Sequence, residues 1–200
     1  GVFLKDMDAE SAKIKNIIDM AFSFSAMTRV FRKDSAIEIE KELENILSLI
    51  TSVKSEQDFK ELHHTFCLWF KKNIKTAERN KDGMTIKPSG PASYGQGAKV
   101  LDVALHVYVH YCHLPEWETA ERVTKWLNSA IDTKMLKYLK NMPDTEAHPI
   151  HATAIEDIDE KTYIILQKLL RRDIIRNPKF SVQSLPVQWD DIMWRFLNKK

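Results

Sequence analysis

An all-α domain of about seven or eight helices is what this sequence predicts, and three observations predict it. Only five glycines and seven prolines interrupt 200 residues, too few for the many tight turns of a β-sandwich. Apolar residues recur at helical spacing through most of the chain. Capping signatures precede those runs: Ser35 with Glu38, Ser55 with Asp58, Ser93 with Gln96, Asp157 with Glu160, and Ser184. Apolar residues make up 44% of the chain, enough for a sizeable core, which excludes a disordered tail.

The first helix is expected from about Ala9 to Arg32, with Ile14, Ile17, Ile18, Ala21, Phe24, Thr28 and Phe31 on its apolar face. A second, opened by Asp34 or Ser35, turns Ile39, Leu43, Ile46, Leu47 and Ile50 inward. A third follows Ser55 and carries Phe59, Leu62, Phe66, Trp69, Phe70 and Ile74. Short links make these up-and-down neighbours. Asn80-Lys-Asp-Gly and Pro88-Ser-Gly-Pro91 then form the clearest loop, 80–92, a possible sub-boundary within one domain spanning 1–200.

Two periods compete after that loop. Val103, Leu105, Val107, Val109 and Tyr111 alternate as in a strand, but no turn residue interrupts Ala98 to Leu114, and a strand of that length is unusual. The capped start at Ser93 decides for helix. Glu116 opens the next, with Trp117, Ala120, Val123, Leu127, Ala130 and Ile131 along its face. Asp132 caps a short helix holding Met135, Leu136 and Leu139. A loop from Met142 to Ala154 carries His148 and His151. Asp157 then opens a helix with Ile165, Leu166, Leu169 and Ile174, which Asn177-Pro178 stops. The last helix follows Ser184 and Pro186, with Trp189, Ile192, Met193, Phe196 and Leu197 facing inward.

Thirty Lys and Arg against 28 Asp and Glu give no bulk field that selects a partner. Cys67 and Cys112 lie in apolar stretches and read as reduced, buried thiols without a disulfide. Val103 to Pro115, free of Asp, Glu, Lys and Arg, is too short to span a bilayer and carries three histidines. The expectation is a soluble, cytoplasmic chain with no membrane partner.

The segment Ser93-Tyr-Gly-Gln-Gly-Ala-Lys-Val-Leu-Asp resembles a group of uncharacterised bacterial and phage-associated helical proteins. Those carry Ser-Tyr-Gly-Gln-Ala-Gln-Lys before an apolar helix, and further on a short apolar-Asp-Ser/Thr segment similar to Ala130-Ile131-Asp132-Thr133 here. The resemblance covers about residues 90 to 140. Gly97 stands where that pattern has a larger residue, and Asp102 where Asn is commoner. The resemblance implies a helix rather than a strand at 94–113 and brings no activity with it.

Two places on that helix can carry chemistry. At 100° per residue, Lys99, Asp102, His106, His110 and His113 fall within an arc of about 80°. That stripe is either a solvent-facing side or a metal site. Asp102, His106 and His110 stand one turn apart and suit zinc, with His148 and His151 available to complete the sphere. The helix start is the other place. Ser93, Tyr94, Gly95, Gln96, Gly97 and Lys99 follow a Pro/Gly loop, and exposed N–H groups there suit phosphate or another anion. The Walker pattern is not met, because Gln96 stands where it needs Lys. An ordinary capped helix with closely packed glycines fits the same residues. His63 and His64 read as a partly exposed pair, and the five tryptophans as core.

Three functions remain open on these grounds. The first is a non-enzymatic protein engaging nucleic-acid phosphates or another anion at 93–99, with Lys134, Lys137, Lys168, Arg171 and Arg172 as further bases. The second is a metal-dependent hydrolase or nuclease using Asp102, His106 and His110. The third is a structural subunit of a larger assembly.

Overall fold

The computed structural model describes residues 8–24, 30–77, 90–146 and 149–199. Among these, eight α-helices carry the fold: α1 (Ala9–Phe24), α2 (Lys33–Leu49), α3 (Glu56–Asn73), α4 (Tyr94–Leu105), α5 (Trp117–Thr124), α6 (Thr133–Lys140), α7 (Glu160–Arg176) and α8 (Pro186–Leu197). The all-α class is as the sequence predicts. The described residues hold no strand beyond two isolated bridges, Phe31 with Thr76 and Lys75 with Pro91. No helix among them is long and apolar enough to cross a membrane.

Local chemistry explains where the helices start, and where the expected boundaries shift. Ser55 accepts the Asp58 N–H at 3.1 Å while the Asp58 carboxylate accepts the Ser55 N–H at 3.0 Å, the reciprocal cap read from the sequence. The Asp132 carboxylate accepts the Met135 N–H at 2.8 Å and caps α6 without a reciprocal bond. By contrast, α1 does not run to Arg32. Phe31 pairs with Thr76 and the Arg32 N–H donates to the Lys75 carbonyl, so this backbone is satisfied by bridging instead of by a helix. Ser35 does not cap α2, because it lies inside the first turn and its hydroxyl accepts the Lys75 N–H. Asp159, not Asp157, caps α7. Asp157 instead binds the Thr153 and Ala154 N–H groups of the preceding turn. At α8 the Gln188 side chain accepts the Leu185 N–H, and Ser184 lies outside the helix.

The core is one contiguous apolar cluster reaching from Ile17 to Met193, with α4 at its centre and packed most heavily on α3. Close packing around α4 needs small residues on it. A Cβ at Gly95 would stand 2.4 Å from Ile158 Cβ, and one at Gly97 would stand 2.8 Å from Phe70 Cβ. Both glycines therefore let neighbouring chains approach the helix axis. Cys67 is buried in this core, whereas Cys112 is exposed, and both thiols are free. Cys112 departs from expectation because it lies beyond the buried part of its helix. Trp117 and Trp194 are also exposed, against expectation. α5 buries Thr119, Ala120 and Val123, which leaves Trp117 stacked outside on His113 at 4.3 Å.

One further contact sets the position of α8. Trp189 is fully buried and its indole N–H donates to Asp173 on α7 at 2.9 Å. The same carboxylate accepts the Tyr138 hydroxyl from α6 at 3.0 Å. A buried carboxylate is expensive without such donors, so three helices are tied together at this point. Residues 190 and 191, next along α8, inherit a fixed register.

Candidate metal centre

α4 does not end at Leu105 but continues as a π-helical segment, His106–Tyr111. Its wider turn appears in the Cys112 N–H donating to the Val107 carbonyl, five residues back. Single π turns recur at functional sites, because the extra residue per turn re-aims side chains that an α-helix would space evenly. The segment ends at His113, whose φ of 53° places it in the left-handed region that commonly closes helices.

His106 and His110, one turn apart, meet Asp191 from α8. His106 Nε2 lies 2.9 Å from Asp191 Oδ1, and His110 Nε2 lies 3.1 Å from Asp191 Oδ2. The three ligating atoms all fall within 4.8 Å of one another. Two ring nitrogens and a carboxylate oxygen form a donor set suited to zinc or a neighbouring transition metal. Behind His106, its other ring nitrogen lies 3.5 Å from Asp190 Oδ2, which also accepts the Ala130 N–H at 2.7 Å. A metal-binding histidine commonly donates its second ring N–H to a carboxylate in this way, which fixes tautomer and orientation. The Tyr111 hydroxyl donates to Asp191 as well.

The electrostatics follow from this crowding. Burial works against a charged His106, but Asp190 and Asp191 outweigh it and raise the group to about 9. Burial also works against the Asp191 anion, yet His106, His110 and Tyr111 hold it well below the usual carboxylate range. Burial pushes Asp190 up, with His106 pulling the other way. A metal ion would take the place of the proton that His106 otherwise holds, since only the neutral imidazole coordinates.

No known family model, curated protein or solved structure matches this chain.

The sequence-predicted ligands are thus divided. His106 and His110 converge, but Asp102 is not with them. It lies on the core side of α4, 1% exposed, with His63 Nε2 at 2.8 Å and the Tyr163 hydroxyl at 2.6 Å. Asp191 takes the place expected of Asp102. His151 is exposed and does not belong to the group, and His148 lies outside the described residues. His113 is turned away on Trp117. The stripe is not a uniform solvent face: Asp102 and His106 are buried, Lys99 and His110 half-buried, and His113 exposed. Sequence reasoning missed Asp190 and Asp191. The available signal was two adjacent acids between Trp189 and Ile192, inside an otherwise apolar helical period.

The helix start is largely buried and bonded to neighbouring segments. Ser93 and Gln96 cap reciprocally, at 3.0 and 2.9 Å. The Gly95 N–H donates to the Ile158 carbonyl at 2.8 Å, and the Gly97 N–H to the Ser93 carbonyl at 3.2 Å. Tyr94, Gly95, Gln96 and Gly97 are all buried. The N–H groups of Ser93, Gly95, Gln96 and Gly97 are thus bonded within the protein. Lys99 belongs elsewhere: it lines an open cavity of about 750 Å³ together with His106, Tyr111, Asp190, Asp191 and Arg195.

Proposed function

We propose that this chain is a metal-dependent hydrolase whose ion, zinc foremost, is held by His106, His110 and Asp191. The observation that carries this reading is the convergence of those three side chains, two of which, His106 and Asp191, line an open cavity, with Asp190 behind His106. Catalytic zinc sites keep three protein ligands and an open position, while structural sites close all four. Here His106 and Asp191 line a cavity with room for a small substrate beside an ion so held. An ion held by these residues would supply Lewis-acid chemistry, polarising a substrate oxygen and lowering the pKa of water toward about 7.

Engagement of nucleic-acid phosphates has less support from the arrangement of bases. Arg171 is held internally by the Gln167 carbonyl and Asn128. Lys134 is bonded to Asn198. Lys168 and Arg172 line a separate cavity on α7.

Protein purified without chelator is expected to carry close to one zinc per chain by elemental analysis. His110→Ala and Asp191→Asn should bring that to background. A parent protein that holds no metal and takes up none of zinc, manganese or cobalt in calorimetric titration would end this reading.

A further inference from the structure

We infer that the substrate of this centre is a small phosphomonoester, with Lys99 and Arg195 as its phosphate-binding groups. The inference rests on the metal-dependent reading above and adds the substrate class. Lys99 is half-buried on the cavity wall, and burial lowers its pKa against the pull of Asp132 and Asp190. Among the described residues neither Lys99 nor Arg195 has a hydrogen bond or an ion pair. Elsewhere in the molecule, partly buried cations are paired: Arg122 binds the Val53 carbonyl and Arg171 binds Asn128. A half-buried ammonium without a partner is costly unless something anionic comes to it. Asp132 and Asp190 are near enough to act on it through space, but neither bonds to it.

The number of positive groups favours phosphate over other anions. One metal and two separate cations present three points of attraction around one space. A phosphoryl group offers three non-bridging oxygens to meet them, and a dianionic monoester offsets two cations. A carboxylate has only two oxygens to distribute, and a neutral ester would leave Lys99 unpaired. The rest of the lining includes the apolar side chains of Val103, Val107, Ile192 and Trp194. Trp194 is 57% exposed, and an exposed indole in the lining suits a planar leaving group.

The step balances without further reactants. The oxygen of a water bonds to phosphorus, and the ester P–O bond breaks with its electron pair leaving on the alcohol oxygen. One proton of the water passes to that oxygen, and inorganic phosphate and an alcohol result.

The test uses zinc-loaded parent and Lys99→Ala, with zinc content measured in both. The probes are inorganic phosphate by calorimetry, and 4-nitrophenyl phosphate, bis(4-nitrophenyl) phosphate and 4-nitrophenyl acetate by release of nitrophenolate. The expected result is phosphate binding that Lys99→Ala weakens by about tenfold or more, the loss of one charge-assisted contact, while zinc content stays unchanged. Hydrolysis of the monoester should be lost with the metal and should fall in Lys99→Ala chiefly through a raised KM. Zinc-loaded protein that does not bind phosphate, or that hydrolyses only the acetate or only the diester, overturns the substrate inference and leaves the metal centre standing. A parent that does not bind metal at all overturns the reading beneath it.

Discussion

One helix serves two polar clusters, and they differ in what surrounds them. Asp102 and His106 stand one turn apart in the same chain segment. Asp102 points into the core, where His63, Tyr163 and, through His63 at 3.7 Å, Cys67 satisfy it in full. Their polar atoms are paired with one another, and all four groups are buried. His106 points to the other side, into a group of ligating atoms beside an open cavity that two unpaired cations also line. The residue types are nearly the same in both clusters. The difference is that the first set is enclosed in the core, so it fastens α3, α4 and α7 together, while the second lies beside open space.

That comparison breaks first at the closed cluster. His63→Ala should destabilise the fold by about 3–5 kcal/mol, because a buried Asp102 is left without its charged partner. Chemical denaturation checks this, and a loss under about 1 kcal/mol would mean the cluster is not the fastening described. At the half-exposed His110, the same truncation should cost no more than about 1 kcal/mol while removing the metal.

Tyr163→Phe gives the next largest effect, about 1–3 kcal/mol for one lost donor to a buried carboxylate. The same cluster sets a pH dependence. Burial opposes the His63 cation, but Cys67 and Asp102 outweigh it and hold its pKa well above the ordinary value. Burial first, then Asp102, raises the Tyr163 phenol. A raised folded pKa contributes stability that is complete below the unfolded value and lost as pH climbs through the folded one. Tm should therefore fall as pH rises above about 6.5, and further above about 10, the unfolded values of His and Tyr. A Tm that climbs over this range would contradict the assignment. The smallest effect is local: Ser55→Ala should cost about 1 kcal/mol through loss of the α3 cap, read by thermal unfolding.

Much of the fold was legible because helical periodicity and caps are local signals. Ser55, Ser93 and Asp132 cap as their spacing predicts. Ser35, Asp157 and Ser184 do not, since Lys75 reaches Ser35 from forty residues away and the turn at 153–157 takes Asp157 for itself. The site was half legible. His106 and His110 share a turn of one segment, so their meeting could be read from spacing. A constant 100° per residue puts Asp102 beside them, but the buried partners His63 and Tyr163 hold it in the core. Asp191 arrives from a helix eighty residues later, in a register fixed by the Trp189–Asp173 bond, which no local pattern encodes. The glycines at the helix start looked like an approach for a ligand, and in fact they admit Ile158 and Phe70.

Cobalt(II) titration followed by its visible d–d spectrum tests the division between the two clusters most directly, comparing parent, Asp191→Asn and Asp102→Asn at a temperature where each is folded by circular dichroism. The account predicts a stoichiometric cobalt spectrum for the parent and for Asp102→Asn, and loss of that spectrum in Asp191→Asn. A spectrum that survives in Asp191→Asn and vanishes in folded Asp102→Asn would contradict it.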